Sequence, residues 1–132
     1  MSEEALLSIR GLRTWFATRQ GVVKAVDGVD LDVLPGEVMG VVGESGSGKS
    51  VTFLSVLGLV KPPGRIEGGA IRFGGRDLVQ LPAAELRALR GRDIAITMQD
   101  ALTALNPALT VEEQIVETIR AHDASISGRK AA

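Results

Sequence analysis

Cysteine is missing from this 132-residue sequence, which excludes a disulfide scaffold and any zinc or iron–sulfur site built on thiolates. The single histidine, His122, leaves no partner for a two-histidine metal site. Neither sign of charge dominates. Fifteen basic and 16 acidic residues give a formal net charge of -1, which argues against a nucleic-acid binder driven by a broad basic surface. With 45% hydrophobic and 23% charged residues, the chain does not resemble a disordered acidic tail either. Long apolar runs are also missing. Unbroken stretches such as residues 38–42 fall far short of the roughly 20 residues a membrane-spanning helix needs. The N-terminal Met-Ser-Glu-Glu is acidic where a secretory signal would be basic. The expectation is one domain, made and kept in the cytosol.

Glycine is over-represented, with 16 residues. The glycines sit at turns and in one tight cluster. Residues 6–16 alternate loosely between apolar and polar, as a strand does, and residues 17–21 read as a hairpin turn. Residues 22–26 and 29–33 read as two further short strands. Leu34-Pro35-Gly36-Glu37 is a turn, with proline presetting one backbone angle and glycine accepting a positive one. Residues 38–42 contain no polar side chain, which predicts a strand buried on both faces. After the cluster, residues 50–60 read as a buried helix, stopped by Pro62 and Pro63. A strand at 69–73 closes on Gly74-Gly75. A helix at 82–89 has Pro82 in its first turn, and another strand is expected at 94–98. A loop runs through Asn106-Pro107 to a helix at 110–122, where Thr110 and Glu113 match a capping box.

The cluster is Gly43-Glu44-Ser45-Gly46-Ser47-Gly48-Lys49-Ser50, an ungapped match to the phosphate-binding pattern G-x-x-x-x-G-K-[ST]. Gly43, Gly46 and Gly48 let the backbone wrap closely and turn its N–H groups toward an anion. A helix beginning there adds its own free N–H groups and the positive end of its dipole. Lys49 supplies a flexible point charge for the outer phosphates. The Ser50 hydroxyl can ligate Mg²⁺. The dinucleotide pattern G-x-G-x-x-G fails, because after Gly46 and Gly48 its sixth position is Val51.

Downstream, Ile96-Thr97-Met98-Gln99-Asp100-Ala101-Leu102-Thr103-Ala104-Leu105-Asn106-Pro107 resembles the Q-loop of ATP-binding cassette (ABC) transporters. More narrowly, it is similar to that of the dipeptide, oligopeptide and nickel importer ATPases, which typically reads Q-D-P-M-T-S-L-N-P. The stretches 13–26 and 33–51 resemble the same subfamily, and the likeness runs from about residue 6 to 122. It implies an α/β fold of the P-loop NTPase class, an ABC-type nucleotide-binding domain with an N-terminal antiparallel β part. Residues 1–132 would form the N-terminal part of one such domain. The Walker A loop would be 43–50, the Q-loop about 99–107, and the start of a helical subdomain about 110–132.

The resemblance assigns ATP and Mg²⁺ as cofactors. Phe16 falls at the family's adenine-stacking aromatic, with Trp15 the neighbouring candidate and Val23 on the far side of the base. Gly43, Glu44, Ser45, Gly46, Ser47, Gly48, Lys49, Ser50 and Val51 would bind nucleotide. Lys49 and Gln99 would take catalytic roles, and Ser50 and Gln99 would face the metal. Ala101 and Ala104 depart from the family's Pro and Ser, which bears on loop stiffness rather than on nucleotide binding. The implied function is the ATP-binding subunit of an importer of peptides or similar solutes. It would pair with a second cassette, contact a transmembrane permease through the Q-loop region, lie on the inner face of the cell membrane, and bind no nucleic acid.

The sequence holds no L-S-G-G-Q signature, no apolar run ending in Asp-Glu (Walker B), and no switch histidine. The chain therefore reads as a cassette cut before those motifs, holding the Walker A and Q-loop half of a site and not expected to turn over alone. Two alternatives stay open: a non-catalytic nucleotide-binding remnant, and a different P-loop NTPase that orders Mg²⁺ through Asp100. His122, at a helix end, suits the helix dipole and takes no catalytic role. Arg87, Arg90 and Arg92 read as a solvated helix end.

Overall fold

The computed structural model describes residues 4–97 and 104–123. Backbone contacts divide the chain into two compact units, Met1–Leu86 and Arg87–Ala132. The first is organised by an antiparallel sheet. Strand β1 (Leu7–Thr18) and strand β2 (Gly21–Val33) form a hairpin, β1 also pairs with β3 (Gly64–Phe73), and β3 pairs with the short β4 (Arg76–Asp77). The sheet order is β2-β1-β3-β4.

Two turns follow from their residues. Thr18 and Gly21 pair across a two-residue loop, and the Thr18 hydroxyl donates to the Gly21 carbonyl at 2.7 Å. Gly74 and Gly75 both have positive φ, 53° and 77°, the signature of a type I′ hairpin turn.

Irregularities in the sheet decide which side chains point inward. Strand alternation would put Ile9 and Leu12 on opposite faces, yet both are fully buried. Between them Gly11 takes φ 55°, and both ladders shift register there. This is a β-bulge, and the Asp30 carboxylate accepts from the Gly11 amide at 2.5 Å. Beyond the bulge Leu12, Thr14 and Phe16 share the inner face. Ile9, Leu12, Val26, Val56, Leu57, Ile71 and Leu78 form the core of this unit. Helix α1 (Lys49–Val56) joins it through a buried pair of hydroxyls, Thr14 Oγ1 to Ser55 Oγ, at 2.8 Å.

Several expectations need correction. Residues 22–26 and 29–33 are one strand, not two. Helix α1 ends at Val56, short of the prolines. There Gly58 takes φ 60°, its amide donates to Ser55 O at 3.1 Å, and the Leu59 amide donates to Leu54 O at 2.8 Å. That is a Schellman stop, so glycine rather than proline ends the helix. The expected strand at 69–73 is longer, Gly64–Phe73.

The largest correction concerns residues 38–42. They form no strand, and Val38 and Val42 are 97% and 95% exposed. An all-apolar run suits burial, but a doubly buried strand needs neighbours on both edges. Among the described residues β1 to β4 pair only with one another and leave this run without a ladder.

Helix α2 (Ala83–Leu89) begins one residue after Pro82, whose carbonyl accepts from the Leu86 amide at 3.1 Å. In the second unit Ile94 makes only an isolated bridge with Arg90, and residues 95–97 form no strand. The expected strand at 94–98 is thus absent over its described part. Helix α3 (Val111–His122) carries the expected capping box, with Thr110 and Glu113 bonded reciprocally.

Candidate functional site: a glycine-shaped loop at a helix N-terminus

The 43–50 loop sits where α1 begins. Gly48 is the N-cap residue, with φ 91° and ψ -2°, and Gly46 takes φ 82°. Both angles are open to glycine and strained for other residues. One internal bond tightens the loop, from the Ser47 amide to Glu44 O at 3.2 Å. The first helical bond is from the Thr52 amide to Gly48 O at 2.9 Å. Among the described residues no side chain caps α1, and its first turn holds no acidic residue. The amides of the first turn and the positive dipole end are therefore left facing an exposed loop, an arrangement that favours an anion.

Lys49 folds back over this loop. Its ammonium donates to Gly43 O at 2.5 Å, to Glu44 O at 2.8 Å and to Ser47 Oγ at 3.1 Å. The positive charge lies at the mouth of the loop, and its hydrogen-bond partners among the described residues are all neutral. Ser50 is exposed on the first turn, and Val51 is half-buried behind it.

The loop is seated on β2. Ala25 is an extra residue in the β1–β2 ladder, between Val26 opposite Thr14 and Lys24 opposite Trp15. A Cβ on Gly48 would lie 2.4 Å from the Ala25 carbonyl oxygen. This bulge and this contact could not be seen in the sequence, because nothing in Lys24-Ala25-Val26 marks an irregular ladder.

Phe16 and Val23 pair across β1 and β2, two to three residues from the Gly48 contact, or about 7–10 Å of strand. Phe16 also pairs with Gly64 on β3. Trp15 faces the opposite side of the strand from Phe16, with the Lys24 ammonium 4.6 Å from its ring centroid. Of the two aromatics, only Phe16 shares the inner face with Thr14 and α1. The structure thus brings Phe16, Val23 and residues 43–51 together in one unit.

Gln99, Asp100 and Ala101 lie outside the described residues. Residues 106–110 are tied to α3 by Gln114, which no sequence motif singles out. Its amide oxygen accepts from the Asn106 N–H at 2.8 Å, and its amide nitrogen donates to the Asn106, Leu109 and Thr110 carbonyls at 3.1–3.3 Å. His122 lies beside Gly91, where a Cβ would come within 2.7 Å of its Nε2.

A separate cavity of about 390 Å³ is lined by Ser8, Arg10, Asp32 and Arg72, among others. It lies seven residues along β2 from the Gly48 contact at Ala25, where Asp32 pairs with Ser8. Arg10 bonds Asp32 and holds its carboxyl below the ordinary range.

The ABC transporter family model matches residues 26–131. The chain belongs to the ABC transporter family. The dipeptide transport ATP-binding protein DppD of Haemophilus influenzae is 44% identical over 119 residues, covering 90% of this chain and 36% of that protein. The DppD of Bacillus subtilis is 45% identical over 120 residues, covering 90% and 36%. The oligopeptide transport ATP-binding protein OppD of Escherichia coli is 44% identical over 119 residues, covering 90% and 35%. This ABC chain therefore spans about a third of the length of these relatives. Among solved structures, a dimeric post-hydrolysis state of the ATP-binding cassette MJ0796, bound to ADP and Pi, aligns with a TM-score of 0.78. It shares 21% identity, and the alignment covers 95% of this chain and 52% of that one. The likeness supports the ABC-type α/β fold with its antiparallel part.

Proposed function

We propose that this chain binds MgATP at the 43–50 loop, as part of the ATP-binding subunit of a transporter that imports peptides. The observation that carries the reading is the α1 N-terminus: uncapped, shaped by Gly46 and Gly48, and covered by the Lys49 ammonium. Phosphate oxygens would take the first-turn amides, together with those of Gly46 and Gly48. Lys49 would exchange its carbonyl partners for the outer phosphates, a charge-assisted contact stronger than the neutral ones it leaves. The residues present also fit Mg²⁺. Ser50 offers an exposed hydroxyl, and an ion that keeps several waters and takes phosphate oxygens needs few protein ligands. Bound there, the ion would neutralise charge on the phosphates. Phe16 would stack on the adenine, with Val23 beside it, and Gln99 would reach toward the metal and the attacking water.

The names of the relatives favour peptides as cargo, and the matched cassette's dimer favours a second cassette as partner. Permease contact is supported by exposed apolar side chains in the second unit, Leu105 within the Q-loop stretch, Leu109 after it, and Val111 and Ile115 at the start of α3. No described helix is long and apolar enough to cross a membrane, so attachment to the inner membrane face would go through that permease. The bare 38–42 run would find its strand neighbours in parts of a cassette outside these residues.

The test is a titration of the purified chain with MgATP, alongside Lys49→Ala. Loss of most affinity in the variant is the expected result. Unchanged affinity overturns the site.

A further inference from the structure

Phe16 is the central member of a three-residue row, Val23–Phe16–Gly64, across β2, β1 and β3. Its ring does not stand free of the sheet. A Cβ built on Gly64 would clash with Phe16 Cε1 and come within 2.8 Å of Cδ1 and Cζ. The ring occupies the volume any other residue's Cβ would need, so it lies against the β3 backbone and is half-buried. At Gly64 the space of the missing Cβ is taken by the Phe16 ring. Its φ is not positive, so backbone conformation does not require glycine there. Space for the ring does.

We propose that Gly64 is a positioning residue for nucleotide recognition. By lacking a Cβ it lets the Phe16 ring lie down on β3, which sets the height and tilt of the surface on which a purine base stacks. A ring held on one face by backbone loses little further freedom when a base covers its other face, and stacking strength depends on that parallel approach. Any side chain at 64 lifts the ring off the strand and misplaces the base relative to phosphates anchored at Gly48 and Lys49. The inference rests on the reading of Phe16 as the base-stacking residue.

The test compares two probes, MgATP and magnesium tripolyphosphate, which share the phosphates and differ in the nucleoside. In Gly64→Ala, affinity for MgATP should fall by about fivefold or more, the scale of a weakened stack. Affinity for tripolyphosphate should stay within about twofold. MgATP affinity unchanged, or both affinities falling together, overturns the proposal, the second result marking a merely structural glycine. Phe16→Ala is measured in parallel. If it leaves the MgATP-to-tripolyphosphate ratio unchanged, the stacking role of Phe16 fails and Gly64 has nothing to position. If it lowers the ratio and Gly64→Ala does not, only the Gly64 inference fails. Should Gly64→Ala not fold, Phe16→Ala/Gly64→Ala, in which the Cβ has room, is compared with Phe16→Ala. Equal MgATP affinity supports action through the ring, and a further drop overturns it.

Discussion

Two glycines of the phosphate loop should respond very differently to the same added methyl group. Gly46 and Gly48 both hold positive φ, 82° and 91°. That conformation costs an L-residue about 1–2 kcal/mol, and the reduced entropy of the unfolded chain offsets about 0.4–1 kcal/mol of it. At Gly46 no atom lies within 4 Å of the new Cβ, so Gly46→Ala should destabilise by about 0–1.6 kcal/mol. At Gly48 the Cβ would lie 2.4 Å from the Ala25 carbonyl oxygen. That oxygen belongs to strand backbone, so either β2 or the start of α1 must move by more than half an ångström. Overpacking of this kind adds about 1–3 kcal/mol, which brings Gly48→Ala to about 1–4.6 kcal/mol. Urea unfolding of the two variants measures the difference as separated midpoints. MgATP titration should show binding kept by Gly46→Ala and lost by Gly48→Ala, whose loop no longer sits on the strand. Equal midpoints and equal affinities would refute the claim that the loop is seated on Ala25.

Other consequences concern the core and the second unit. The Ser55 hydroxyl donates to Val51 O at 2.7 Å and meets Thr14 Oγ1 at 2.8 Å. Ser55→Ala strands the fully buried Thr14 hydroxyl and should cost about 1–3 kcal/mol, whereas Thr14→Val leaves Ser55 bonded and should cost about 1 kcal/mol; thermal or urea unfolding giving the reverse order would contradict this. In α3 the Thr110 amide, then its hydroxyl, hold the Glu113 carboxyl below its ordinary 4.5. A depressed carboxylate stabilises fully above its unfolded value and stops doing so as pH falls through the folded one. Hydrogen exchange at the Thr110 and Glu113 amides should therefore accelerate, beyond the intrinsic trend, only below about pH 4.5, and Glu113→Gln should show no such step.

Local rules served where the chain answers to its immediate neighbours. The Gly74-Gly75 turn, the Thr110–Glu113 box and the helix start after Gly48 depend on residues within a few positions, and all three lie where the sequence puts them. Residues 38–42 show where those rules stop. Their composition encodes burial, but hydrogen-bonding neighbours decide whether a ladder forms, and among the described residues none is offered. The bulges at Gly11 and Ala25 were illegible for a related reason. Each is a mismatch between two strands, and neither strand carries it alone. At the site, the motif named residues 43–50 at once, because glycine spacing and a following helix are local features. That Gly48 is braced by Ala25, and that Phe16 rests on Gly64, depends on pairings 23 and 48 residues apart. Gly64 itself follows the two prolines expected to stop the helix, and nothing in that local setting marks it as a seat for an aromatic ring.

The most direct test of nucleotide binding at the 43–50 loop follows backbone amide resonances of the isotopically labelled chain during a MgATP titration. Binding at this loop gives the largest shifts at Gly46, Gly48, Lys49, Ser50 and Val51, with smaller ones at Phe16 and Val23. Shifts centred on Ser8, Arg10 and Arg72, at the separate cavity, or no shifts at saturating MgATP, would contradict it.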